Sequence, residues 1–258
     1  MQIKGYNKTT LLDYPEHVAA TIFVGGCNFR CPFCHNADLV LNPNMQADIG
    51  EEEVLAHLQK RKGILEGVCI TGGEPTLQPD LPEFIKKIKG LGYPVKLDTN
   101  GYCPDVLEKL LEEGLLDYAA MDIKASKENY AMAAGFPQLD IGKIEESVKL
   151  LQNGSIPYEF RTTVVKGIHT IEEFEVIGQW LRGSRSYYLQ AFRDSENVLA
   201  QRSHEILENI GCEQGDGCVC GRGPVYAEKL SEFTKEEMEQ MAETARKYID
   251  KVELRGVE

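Results

Sequence analysis

The chain has 258 residues, 42% of them hydrophobic and 27% charged, the proportions of an ordinary globular protein of one domain or two small ones. Against 28 Lys and Arg stand 41 Asp and Glu, a net charge of −13. That balance speaks against a nucleic-acid ligand, which is held by clustered positive charge. No apolar run approaches the roughly 20 residues that span a bilayer, and the polar start MQIKGYNKTTLLDYPEH lacks the apolar centre of a signal peptide. A cytoplasmic protein without a membrane segment is expected.

From about residue 18 to 190, short apolar runs alternate with helical patterns. VAATIFV (18–24) reads as a buried strand. GEEEVLAHLQKRKGI, with Val54, Leu55 and Leu58 before Gly63, reads as a helix. Next come strand GVCIT (67–71) with helix DLPEFIKKIKGL, strand YPVKLD (93–98) with helix CPDVLEKLLEEG, and strand YAAMDI (118–123) with a helix over about 140–153. PYEFRTTVV (157–165) precedes helix IEEFEVIGQWL, and SYYLQAF (186–192) is the sixth strand. Strict alternation predicts parallel strands joined by crossover helices. Six units fall short of a closed eight-stranded barrel, so an α/β fold of the partial (β/α)6 barrel type is expected. A doubly wound sheet is the rival, but no GxGxxG loop supports it.

The expected core runs over 1–193, with the N-terminal extension included. Residues 194–258 form a C-terminal extension on the same domain, holding a loop-rich insert and a helix. In that helix Thr234 and Glu237 have capping-box spacing, and VELRG (252–256) reads as a last short strand.

Eight cysteines are the informative count. Clustered cysteines in a chain without an export signal read as metal-binding or catalytic. Cys27, Cys31 and Cys34 stand in C-x3-C-x2-C spacing just after the first strand, in a loop shaped by Gly25, Gly26 and Pro32. Three thiolates can hold a cuboidal iron–sulfur cluster and leave one iron open, whereas electron-transfer clusters usually use four. The alternative is structural zinc, which prefers closed four-ligand sets. His35 would be an awkward fourth ligand beside Cys34.

With Phe33 before the third cysteine, the run resembles the CxxxCxφC signature of the radical S-adenosylmethionine (SAM) enzymes. CPFCHN is similar to the loop of the pyruvate formate-lyase activating enzyme. LLDYP followed by AATIFVGGCNFRCPFCHN resembles the longer activating proteins of anaerobic ribonucleoside-triphosphate reductase. The resemblance covers nearly the whole chain. Glu16 departs from it, standing after Pro15 where Gly is expected, and should affect a turn only.

The resemblance implies a 4Fe–4S cluster on Cys27, Cys31 and Cys34. It implies reductive cleavage of SAM to a 5′-deoxyadenosyl radical and hydrogen abstraction from a glycine of a partner protein. That partner would be the anaerobic ribonucleotide reductase, or else pyruvate formate-lyase or another glycyl radical enzyme. A flavodoxin or ferredoxin would supply the electron. A small-molecule or peptide-modifying radical SAM enzyme and a non-catalytic metal module are the other readings.

Chemistry in such barrels sits at the C-terminal ends of the strands. There TGGEP (71–75) offers close backbone approach at Gly72 and Gly73 and a carboxylate at Glu74, though a plain turn would look the same. By the family's GGE motif these three hold the SAM amino group. The match places a monovalent cation at Asp98, Thr99 and Asp122, where capped turns are the bland account. Lys124 and Arg161 could pair with the SAM carboxylate, and Phe33, His35 and Asn36 match the adenine side. His57, His169 and His204 fit no motif and are expected to be solvated. Trp180, Phe174 and Ile177 read as a helix core face, and Cys69 as a small apolar residue of its strand; Cys103 has no role. Cys212, Cys218 and Cys220 lie in a Gly-rich loop that departs from the family. They could hold an auxiliary metal, be mobile thiols or dock the partner.

Overall fold

The computed structural model describes residues 1–201 and 230–257. The chain divides into two compact units that interleave along the sequence. The first comprises Met1–Asn28, Leu39–Asp122 and Gly142–Phe160, the second Phe29–Asp38, Ile123–Ile141 and Arg161–Glu258.

In the first unit, β1 (Ile3–Thr10) pairs antiparallel with β2 (Ala19–Val24). Then β3 (Gly67–Gly72), β4 (Val95–Thr99) and β5 (Tyr118–Asp122) follow, each parallel to the strand before it. Helices α1 (Ala37–Leu41) and α2 (Glu51–Lys60) precede β3. Helix α3 (Leu81–Gly90) and helix α4 (Pro104–Glu112) are the crossovers from β3 to β4 and from β4 to β5. Leu81, Phe84, Ile85 and Ile88 recur at helical spacing along α3, and all four are fully buried. One face of the central strands is apolar and inaccessible, with Ile22, Val24, Val68, Ile70, Val95 and Leu97 in register on it, while the other carries Thr21, Cys69 and Lys96.

Short α5 (Tyr130–Ala133) belongs to the second unit, and α6 (Ile141–Asn153) leads into β6 (Tyr158–Val164), which begins in the first unit and ends in the second. The second unit continues with α7 (Glu173–Trp180), β7 (Ser186–Ala191), α8 (Lys235–Ala245) and β8 (Lys251–Arg255), with β7 and β8 parallel. Phe174 and Ile177 of α7 are buried as expected, and α7 packs on α8, which buries Met238, Met241, Ala242 and Ala245. Trp180 is only half-buried, edge-on to Tyr130. The capping box of α8 is complete: the Glu237 N–H donates to Thr234 Oγ1 at 3.2 Å, and the Thr234 N–H to Glu237 Oε2 at 2.8 Å.

Strand order follows chain order from β1 to β8, so the expected α/β fold with sequential, mainly parallel strands is the one found. Among the described residues there are eight strands: those of the six expected units, β8 where VELRG was expected to form a last short strand, and β1. The sequence reading missed β1 because IKGYNKTT is an edge strand whose later residues face solvent, so it carries no apolar alternation.

Glu16 marks a local constraint. Among the described residues it is the non-glycine residue at positive φ, 64°, and the His17 N–H donates to the Tyr14 carbonyl at 3.1 Å. Pro followed by a positive-φ residue is the pattern of a type II turn, which explains why glycine is expected there. Left-handed backbone costs an ordinary residue about 1–2 kcal/mol, while glycine loses part of that gain through the entropy of its unfolded state. Glu16→Gly is therefore expected to raise stability by under ~1 kcal/mol, and Glu16→Val to lower it by about 1–2 kcal/mol, read by urea unfolding.

Candidate functional site

The cysteine loop begins in the first unit, where β2 ends against the turn after β3. The Gly73 N–H donates to the Val24 carbonyl at 2.9 Å, and the Glu74 N–H to the Gly26 carbonyl at 2.8 Å. These contacts need glycine. Gly72 has φ 115°, and a Cβ on Gly73 would stand 1.9 Å from the Gly26 oxygen. Gln78 adds a side-chain N–H to the Gly25 carbonyl at 3.0 Å.

Glu74 is fully buried. Its Oε1 accepts from the Thr76 N–H (3.0 Å), the Thr76 hydroxyl (2.6 Å) and the Thr99 hydroxyl (2.8 Å), and its Oε2 from the Asn100 N–H (2.7 Å). Burial pushes its pKa above the ordinary carboxylate value, outweighing the donors from Thr76, Asn100 and Thr99 that favour the charge. The carboxylate thus joins the end of β3 to the end of β4. The Glu74 side chain meets donors from Thr76, Thr99 and Asn100.

Asn100 extends the network. Its Nδ2 donates to Asn28 Oδ1 at 2.8 Å and lies 3.9 Å from Cys27 Sγ. Asn28 Nδ2 is buried without a protein partner. On β4, Asp98 pairs with Lys96, whose side chain is 2% exposed, and Lys96 Nζ stands 3.9 Å from Cys69 Sγ. Cys69 is buried within β3 as expected. Neither Asn100 nor Lys96 received a role from the sequence, although both lie in the string KLDTNG that drew attention to Asp98 and Thr99.

In the second unit the rest of the loop is gripped by backbone. The Arg30 N–H donates to the Ala134 carbonyl (2.9 Å), Leu199 N–H to the Cys34 carbonyl (2.9 Å) and Ala200 N–H to the Pro32 carbonyl (2.9 Å). Cys31 is buried and Cys34 half-buried. Exposed His35 bonds through Nε2 to the Arg193 carbonyl at 2.7 Å and stacks by Phe192, while Asn36 is half-buried. Phe33 is buried, its ring 6.3 Å from that of His169.

His169, expected to be solvated, is buried at 3% exposure. The Val165 N–H donates to Nδ1 at 3.0 Å, so Nε2 carries the proton and donates to the Lys124 carbonyl at 2.8 Å. Burial holds its pKa below the ordinary histidine value. Nothing in the sequence marks it, because its partner carbonyl lies 45 residues away. Lys124 and Arg161 are half-buried, and the Arg161 carbonyl accepts from the Ile123 N–H at 2.7 Å. His57 is half-buried rather than solvated, edge-on to Tyr6. His204, Cys212, Cys218 and Cys220 lie outside the described residues.

The donor set fits a thiolate-bound cluster. Cys27, Cys31 and Cys34 are thiols, not disulfides. The Asn100 amide Nδ2 lies 3.9 Å from Cys27 Sγ, and N–H groups at cysteine sulfur are among the factors that set a cluster's potential. Among the described residues no three His, Cys, Asp or Glu side chains converge on a single ion. Among the described residues no helix is long and apolar enough to cross a membrane.

These features are those of an iron–sulfur protein with a glycine-lined cofactor rim. The model of the Radical SAM superfamily matches residues 21–181, and the chain belongs to that superfamily. It is a radical SAM enzyme, and its cofactors are a 4Fe–4S cluster and SAM. A Methanocaldococcus jannaschii protein provisionally named a glycyl-radical enzyme activating enzyme is 28% identical over 259 residues, 99% of this chain and 96% of that protein. A Thermococcus kodakarensis protein provisionally named GTP 3′,8-cyclase is 32% identical over 154 residues, 58% of this chain and 48% of its own length. Among solved structures, Streptococcus suis SuiB shares the fold, with TM-score 0.56 and 14% identity over 90% of this chain and 47% of SuiB.

Two predictions follow from the packing. Gly73→Ala forces a Cβ into the Gly26 carbonyl and is expected to cost about 2 kcal/mol or more, with loss of cluster loading read by the visible absorption of reconstituted protein. A histidine kept neutral by folding stabilises fully above its unfolded pKa, and that stability is lost as pH falls from there toward the depressed folded value. Wild type should therefore lose up to ~1.4 kcal/mol per pH unit below about pH 6.5 on account of His169, and His169→Gln should show a shallower slope in urea unfolding.

Proposed function

We propose that the chain activates a glycyl radical enzyme by forming the radical on a glycine of that partner. The observation that carries this reading is the end-to-end similarity to the M. jannaschii protein, 99% of one chain against 96% of the other. The T. kodakarensis relative named as a cyclase matches only 58% of this chain and 48% of its own length. The motif CPFCHN and the preceding LLDYP point to the anaerobic ribonucleotide reductase as the partner, with pyruvate formate-lyase as the second candidate. A flavodoxin or ferredoxin is the reading for the electron donor.

When bound, the cluster and SAM supply one-electron cleavage of the sulfonium and the hydrogen-abstracting species. The chain's residues do the placing. Cys27, Cys31 and Cys34 hold three corners of the cluster. Gly72 and Gly73 offer backbone to the SAM amino group, with Glu74 fixing that turn through Thr76, Thr99 and Asn100. Lys124 and Arg161 face the SAM carboxylate, and Phe33, His35 and Asn36 the adenine. His169 acts on Lys124 by pinning its carbonyl. No side chain need move a proton, which accords with the absence of an assigned acid–base pair.

The test is anaerobic. Reconstituted, reduced protein given SAM should release 5′-deoxyadenosine, and Cys31→Ala should release none. A glycyl doublet on the reductase by electron paramagnetic resonance supports the full reading. Cleavage with no such doublet on either candidate removes the activase reading. No cleavage from a loaded, reducible cluster removes the enzyme reading with it.

A further inference from the structure

The monovalent cation expected at Asp98, Thr99 and Asp122 meets an obstacle in the first unit. A hard cation needs several oxygen lone pairs turned toward one point. Two of the three expected ligands are already committed. Asp98 Oδ1 is paired with the Lys96 ammonium, and the side chains are 14% and 2% exposed. The Thr99 hydroxyl donates to Glu74 Oε1 at 2.8 Å and accepts from the Gly101 N–H at 3.1 Å.

The pairing is dictated locally. Residues two apart on a strand point to the same face, so Lys96 and Asp98 of β4 emerge side by side. The ammonium also stands 3.9 Å from Cys69 Sγ, a weak acceptor, so the carboxylate is the partner that balances its charge. An ammonium and an alkali ion carry the same charge. A second cation at the same carboxylate would meet like-charge repulsion in a site sheltered from solvent screening.

We propose that Lys96 is a built-in counter-ion, standing where an exchangeable monovalent cation would otherwise neutralise Asp98, and that this end of β4 works without such a cation. The superfamily membership supplies only the expectation from which the chain departs. The ion pair stands on its own, so cluster-free protein can be used for the test.

Thermal unfolding midpoints are measured in KCl, NaCl and tetramethylammonium chloride at equal ionic strength, and saturable binding of thallous ion, a potassium mimic, is measured by equilibrium dialysis. Wild type is expected to show the same midpoint in the three salts and no saturable thallous-ion binding. Lys96→Gln, which frees the carboxylate, is expected to gain a potassium-specific rise in midpoint and a saturable thallous-ion site. A potassium-specific rise in wild type, or wild-type thallous-ion binding that Asp98→Asn abolishes, would overturn the proposal, whether or not Lys96→Gln folds. Release of 5′-deoxyadenosine by the loaded enzyme should likewise not change when potassium is replaced. Failure of the activase reading would leave the ion measurements untouched.

Discussion

The carboxylate of Glu74 is the constraint around which the first unit is arranged. An ionised group removed from water is tolerated only when protein donors replace its hydration. Four hydrogen bonds do so here, two from Thr76 just beyond β3 and two from Thr99 and Asn100 at the end of β4. Leaving a buried group of this kind without its partner costs about 1–3 kcal/mol. Two successive strand ends are thereby held in register. The same turn brings Gly73 against the Gly26 carbonyl, so the start of the cysteine loop inherits its position from a carboxylate 47 residues after Cys27. Asn100 then carries the order on to Asn28 and the Cys27 sulfur.

The second unit solves a similar problem with a neutral group. His169 accepts from one backbone N–H and donates to one backbone carbonyl, which fixes its tautomer and leaves neither ring nitrogen unsatisfied. Its ring sits by Phe33, whose place in the cysteine motif requires an aromatic residue packed out of water. Cys31 and Cys34 are carried on a segment held by carbonyls and amides from residues 134 and 199–200. Short loops with few side-chain anchors are positioned in this way by backbone pairing, so their side chains stay available for chemistry.

Charge is handled internally in both units. Lys96 is buried beside Asp98, and Glu173 accepts from the Ser126 N–H and the Asn129 amide. A site that cleaves a charged sulfonium by electron transfer gains from fixed charges that do not exchange with solvent. Thr99, which donates to Glu74, lies on the face of β4 opposite to the ion pair of Lys96 and Asp98. The face of β4 that takes each residue follows from the two-residue period of the strand.

Much of this was legible before any coordinates. The alternation of strands and helices, the three-cysteine spacing, the GGEP turn and the capping box of α8 are local patterns, and local patterns are written in neighbouring residues. The departure at Glu16 was visible too, because a turn type demands a residue type at one position. What the sequence could not decide were the partners chosen across the fold. It showed Glu74 as a carboxylate on a rim, but not that four donors turn it inward. His169 looked like any solvated histidine until a carbonyl 45 residues away was placed against it. β1 hid because a half-exposed edge strand has no apolar rhythm, and Lys96 received no role because burial of a lysine depends on the walls around it. The amino-acid sequence by itself determined the fold class, the spacing of the cysteine loop and the superfamily. Only the tertiary structure decided which polar groups satisfy one another, because hydrogen bonds and ion pairs are made between residues that folding, not chain order, brings within reach.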